Sequence, residues 1–103
     1  MMARQPGTTT GGGPFSDATI EAVWQKGKVV RGQDPNVFRM DACNMWMHRG
    51  SYGTIDKYGW EIDHEHPVSR GGTDNLANLQ PLHWRNNRGK GDDYPRWGCT
   101  ISA

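Results

Sequence analysis

An aspartate and a histidine stand side by side at the end of a strand-like run, Trp60-Glu61-Ile62-Asp63-His64, and a Pro/Gly-rich turn follows within a few residues. Neighbouring residues on a regular strand point to opposite faces. The two side chains can therefore share one task only if the strand bends where they lie. This constraint organises residues 60–92, WEIDHEHPVSRGGTDNLANLQPLHWRNNRGKGD, more than any other feature of the chain. Residues 69–75 read as loop by composition. Asn78-Leu79-Gln80 leads into a predicted helix from Pro81 or Leu82 to Asn87 or Arg88, with Pro81 at a first helical position and Gly89 as the stop.

The chain before this stretch is simpler. Residues 1–15, rich in Thr, Gly and Pro, cannot bury enough apolar surface to order themselves and are expected to form a disordered arm. Ser16 is a predicted N-cap with Asp17 in the first turn. Ile20, Val23 and Trp24 recur at helical spacing, which predicts a core-covering helix over 17–26 ended by Gly27. Residues 29–36 read as a linker. Cys43, Met45 and Met47 alternate with Asn44, Trp46 and His48, which is strand spacing. Trp60 and Ile62 then begin a second strand of the same expected hairpin. Tyr94 and Trp97 in the tail are expected to pack back on the core. Residues 16–103 read as a single domain with its motif core at about 42–92.

Composition sets bounds on this reading. Twelve basic and eleven acidic residues leave a net charge of +1, so a nucleic-acid footprint has to be local. Hydrophobic content is only 34%, but five tryptophans can anchor a small core. No run approaches the roughly twenty apolar residues of a membrane-spanning helix. Cys43 and Cys99 lack a CxxC partner, and without an apolar leader the expectation is two reduced thiols in a cytoplasmic protein.

Carboxylate and amide oxygens suit hard cations such as Mg²⁺ or Mn²⁺. A histidine beside such an ion can take a proton from water near neutral pH. The stretch thus combines the groups needed for metal-assisted phosphodiester hydrolysis.

Asp63-His64-Glu65-His66-Pro67, Asn78-Leu79-Gln80 and Asn87-Arg88-Gly89-Lys90, in that order, resemble the HNH endonucleases. The resemblance implies an α+β fold, a small ββα-metal (His-Me finger) core here preceded by an extra N-terminal helix. It implies Asp63 and Asn87 as metal ligands, His64 as general base, and Asn78 as the residue whose amide holds the loop that aims His64. Arg88 and Lys90 would touch DNA phosphates, and Arg85, Arg70 and Arg39 are further candidates for backbone contact. The cofactor implied is one divalent ion, Mg²⁺ or Mn²⁺, with Zn²⁺ as another occupant. Products would carry 5′-phosphate and 3′-hydroxyl ends.

Many members of that family hold a structural zinc on paired CxxC knuckles. Here the matching helix positions are His83 and Asn86, and Trp46 stands where Cys43 needs a partner, so no structural zinc is expected and the tryptophans are expected to replace it. His83 lies one helical turn before Asn87 and reads either as a third metal ligand or as a residue bonded to the loop. His66 reads as loop-bracing, His48 as hydrogen-bonding or surface, and Glu65 as solvated.

The function expected is a DNA endonuclease of low sequence specificity acting on double-stranded DNA. A monomer would nick, and a homodimer could cut both strands. The alternative is a non-catalytic DNA-binding or scaffold module of a phage or defence assembly.

Overall fold

The protein is described by a computed structural model over residues 5–103. Ser16 caps the first helix, α1 (Asp17–Trp24), accepting a 3.1 Å hydrogen bond from the Thr19 amide. The helix buries Val23 and Trp24 completely, with Ile20 packed against the same cluster. The Trp24 indole lies 5.3 Å from that of Trp60 and donates its N–H to the Pro35 carbonyl, so the polar end of a buried ring is satisfied.

Three short strands, β1 (Lys28–Val29), β2 (Phe38–Met40) and β3 (Trp46–His48), form an antiparallel sheet in sequence order. A second, two-stranded sheet pairs β4 (Trp60–His64) with β5 (Leu79–His83), from Trp60 opposite His83 to His64 opposite Leu79. The second helix, α2 (Trp84–Lys90), follows directly and packs on both strands of that sheet. The architecture is α+β, and β4, β5 and α2 make a ββα unit.

The expected hairpin between β3 and β4 is corrected. β3 pairs with β2, and the strand-like pairing of β4 with the preceding chain is an isolated bridge between Tyr52 and Trp60. The partner of β4 is β5, because the two bring Trp60, Ile62 and Leu79 onto one apolar face. The helix start is corrected too. Pro81 sits in β5 opposite Ile62, where a two-stranded sheet does not need its missing N–H, and it biases Gln80 to an extended conformation.

Gly89 lies inside α2 and is not its stop; a Cβ there would sit 1.7 Å from the Thr100 hydroxyl oxygen, so glycine lets the C-terminal tail close against the helix. The turn comes at Gly91, at φ 51°.

Cys43 and Cys99 are disulfide-bonded, with Cα atoms 5.8 Å apart, which corrects the expectation of free thiols and removes that half of the argument for a cytoplasmic protein. The two halves of the pair could not be placed together from sequence because the tail folds back across α2, where the Ile101 amide donates to Asn86 Oδ1. Tyr94 does not join the core; it stays 41% exposed and stacks on the His66 ring.

The arm is a further correction. Over residues 5–15 it is ordered: Phe15 is buried in the core and Thr10 is bonded to Asp74. One large ring and a few specific polar contacts order a segment whose composition predicts none. Residues 1–4 lie outside the described residues. Among the described residues no helix is long and apolar enough to cross a membrane.

Candidate active site

All five residues of β4 are buried, because both of its faces are covered. Trp60, Ile62 and His64 alternate onto the core side, where the His64 ring lies 5.9 Å from Phe15. Glu61 and Asp63 face α2, whose Asn87, Arg88 and Lys90 meet them.

Glu61 accepts from Asn87 Nδ2 at 2.9 Å and pairs with Arg88 Nη2 at 2.9 Å. Asp63 Oδ2 accepts from Gln80 Nε2 at 2.9 Å, the residue directly across the sheet, and lies 3.3 Å from Lys90 Nζ. Burial pushes the Asp63 carboxyl above the usual carboxylate range, and the bonds from Gln80 and Lys90 only partly offset it. Glu61 in turn holds the Arg88 guanidinium above its ordinary value.

His64 Nε2 lies 2.8 Å from Asp74 Oδ1, on the loop between β4 and β5. Burial raises the Asp74 carboxyl, but the hydrogen bonds from His64 and Thr10 outweigh it and hold the group below the usual range. Asn78 closes the base of that loop: its Oδ1 accepts from the His66 amide at 2.8 Å, and its Nδ2 donates to the carbonyls of His66 and Thr73. Gly72 is required beside it, since a Cβ would stand 1.7 Å from the His66 carbonyl oxygen. His66 braces the same loop through Nε2 and the Arg70 carbonyl, 2.7 Å apart.

Asp63, His64 and Asn87 line one cavity of about 540 Å³, together with Arg88 and with Gly7 of the arm. A separate cavity of about 570 Å³ lies between α1 and the Arg49 turn. It holds an ion pair of Arg49 with Glu21 rather than a set of groups suited to phosphate chemistry.

Three expected roles change. Lys90 is fully buried and donates to the His64 and Glu65 carbonyls as well as facing Asp63, so its ammonium is held inside the fold and does not reach a phosphate. Arg39 is buried too, its guanidinium spent on Pro35, Gly27 and Gln25. His83 is not a third metal ligand: one ring nitrogen meets the Lys57 carbonyl at 2.9 Å and the other accepts from the Arg85 amide, which caps α2. It lies on β5, not one turn before Asn87 on the helix, which is why the sequence spacing misleads.

Of the cations expected to contact the backbone, Arg85 and Arg70 are exposed and Arg88 is half exposed. Arg85 and Arg88 flank the Trp84 ring at 5.2 and 5.6 Å, and Arg70 donates to the Asp92 carbonyl. Sequence reading missed Asp74, Glu61 and the arm. The first looks like an ordinary loop acid, and only strand parity with Asp63 hints at the second.

Among the described residues no three His, Cys, Asp or Glu side chains cluster as a ready-made metal cage. The side chains lining the cavity include the Asp63 carboxylate and the Asn87 amide. With Asn87 Nδ2 committed to Glu61, its oxygen is the atom left to ligate. Two hard oxygens fit a divalent ion that keeps several waters.

Residues 50–93 match the HNH endonuclease family. This segment is an HNH domain. No curated protein and no solved structure matches the chain. The HNH match contains β4, β5, α2 and the loop that carries Asp74, while the arm, α1 and the first sheet lie outside it. HNH domains serve as nucleases or as nucleic-acid-binding modules. At the positions where zinc-binding HNH members carry knuckles, Asp41 ties the fold together instead. Its carboxylate accepts from the Cys43 and Met45 amides on one oxygen, and from the His83 amide and Asn86 side chain on the other. Trp24 and Trp60 belong to the core, but this cross-link and the neighbouring disulfide do the local tying.

Proposed function

We propose that this HNH protein is a metal-dependent endonuclease that hydrolyses DNA phosphodiester bonds with low sequence specificity. The observation that carries the reading is that Asp63, His64 and Asn87, remote in sequence, line one cavity. Asp63 and Asn87 would hold the ion, Mg²⁺ or Mn²⁺ with Zn²⁺ as another occupant. When bound it supplies neutralisation of charge on the phosphate oxygens.

The chain's own residues do the rest. The His64 imidazole takes a proton from a water whose oxygen attacks phosphorus. The bond from phosphorus to the 3′-oxygen breaks, leaving a 5′-phosphate and a 3′-hydroxyl once the leaving oxygen gains a solvent proton. Asn78 keeps the loop closed behind His64. Arg88, which lines the cavity, and the exposed Arg85 and Arg70 contact the backbone. Glu61 keeps the Asn87 oxygen available.

One observation favours a second reading, a DNA-binding HNH module without turnover: the Lys90 ammonium already balances the Asp63 charge. Supercoiled plasmid with Mg²⁺ or Mn²⁺ separates the two. Nicking that is abolished in His64→Ala, with DNA binding retained, supports the nuclease. Tight metal-independent binding without any nick supports the module.

A further inference from the structure

Asp74 lies between the two 3-10 turns of the β4–β5 loop (Val68–Arg70 and Leu76–Asn78) and reaches the buried His64 ring, 2.8 Å from Oδ1 to Nε2. His64 is only 6% exposed, while Asp74 is 37% exposed, so the acid reaches inward from the surface to meet the ring. The other side of the carboxylate is not left to solvent. The Thr10 amide donates to both oxygens, at 3.1 and 3.2 Å, and the Thr10 hydroxyl donates to Oδ2 at 2.9 Å. Phe15, further along the same arm, packs beside the ring itself.

We infer that Asp74 is the positioning residue for His64 and that Thr10 of the N-terminal arm holds Asp74 in place, so that the working site extends beyond the ββα unit to the arm. The inference rests on the nuclease reading above. An ionised carboxylate is an acceptor only, so it selects the tautomer that carries its proton on Nε2. Nδ1 is then the nitrogen with a free lone pair, the atom that accepts the proton of the attacking water. The imidazolium formed in that step returns its Nδ1 proton to solvent after the phosphorus–oxygen bond has broken. Asp74 touches neither substrate nor ion. Its effect passes through the orientation and tautomer of the ring.

Asp74→Asn separates this role from simple loop bracing. The Thr10 amide still requires an acceptor, so the carboxamide oxygen turns towards Thr10 and the NH₂ group faces His64. That NH₂ donates to Nε2 and forces the ring proton onto Nδ1, the wrong nitrogen. An isosteric change at a loop acid therefore removes the base.

The test uses the full chain with supercoiled plasmid and Mn²⁺, comparing wild type, Asp74→Asn, Asp74→Ala and Thr10→Val, with thermal melts as the folding control. In parallel, ¹⁵N chemical shifts of the His64 ring report its tautomer without any turnover. The expected result is a fall in kcat of about 100-fold for Asp74→Asn, the scale of a misaligned catalytic group, with KM within about threefold. The His64 proton should move from Nε2 to Nδ1 in that variant. Asp74→Ala should leave a mixture of tautomers, and Thr10→Val a smaller loss of kcat in the same direction.

If wild type nicks and Asp74→Asn nicks at the same rate with its tautomer unchanged, the positioning role is overturned while the nuclease reading stands. If both Asp74 variants lose activity only in proportion to a lowered melting temperature, with the Nε2–H tautomer retained, Asp74 is a loop brace and the inference fails. A wild type that does not nick sinks both.

Discussion

Lys90 Nζ lies 3.3 Å from Asp63 Oδ2 and donates to the main-chain oxygens of His64 and Glu65, all from a fully buried position on α2. The ammonium thus fixes the end of β4 from below and balances a carboxylate that burial would otherwise tend to neutralise. Removing one member of a buried pair leaves the other charge uncompensated. Lys90→Met should therefore destabilise the protein by about 3–5 kcal/mol, read as a lowered urea midpoint. A variant as stable as wild type would show that the pair contributes little to folding.

Asn87 offers a cleaner view of the metal. Its nitrogen is committed to Glu61, and it lines the cavity with Asp63. Asn87→Ala should weaken Mn²⁺ binding in a calorimetric titration. Glu61→Gln, which lets the Asn87 amide turn over, should weaken it in the same direction by about tenfold, the lower end of what losing a partner of a metal ligand costs. Unchanged Mn²⁺ affinity in both variants would remove Asn87 from the ligand set.

The disulfide spans much of the chain and holds the tail over α2. Replacing Cys43 and Cys99 together by serine should lower stability by about 2–4 kcal/mol, with the amides of Thr100 and Ile101 exchanging faster with solvent. A double variant with the wild-type melting temperature and slow exchange at those amides would contradict this.

Acid should release the arm. Asp74 has its carboxyl held below the usual range when folded, so its contribution is present above the unfolded value of about 3.9 and is lost as pH falls through the lower folded value. The titratable group facing it is His64. The Thr10 amide resonance should shift over that acidic window in the wild type and stay constant over the same window in Asp74→Asn. A Thr10 shift that follows the same curve in both proteins would point to another group.

The sequence carried the α+β class and the first helix, since helix capping and strand alternation are local signals, and motif order singled out Asp63, His64 and Asn87, which line one cavity, and Asn78, which bonds the loop. It misassigned what depends on distant pairing. Pro81 looks like a helix start when read by itself and lies on a strand because β4 needs a partner. Lys90 and Arg39 look like surface cations, and both point inward because carbonyl oxygens remote in sequence collect around them. Asp74 and Thr10 meet across 64 positions, a separation over which composition carries no information.

Because β4 is enclosed on both sides, its residues are held by folding as well as by any chemistry they perform. A descendant of this chain would be selected to keep an acid at 63 opposite Lys90 and a ring at 64 against Phe15 whatever its task. Divergence would show first at the solvent-facing acid of the loop and at the threonine that clasps it, long before the strand itself began to drift.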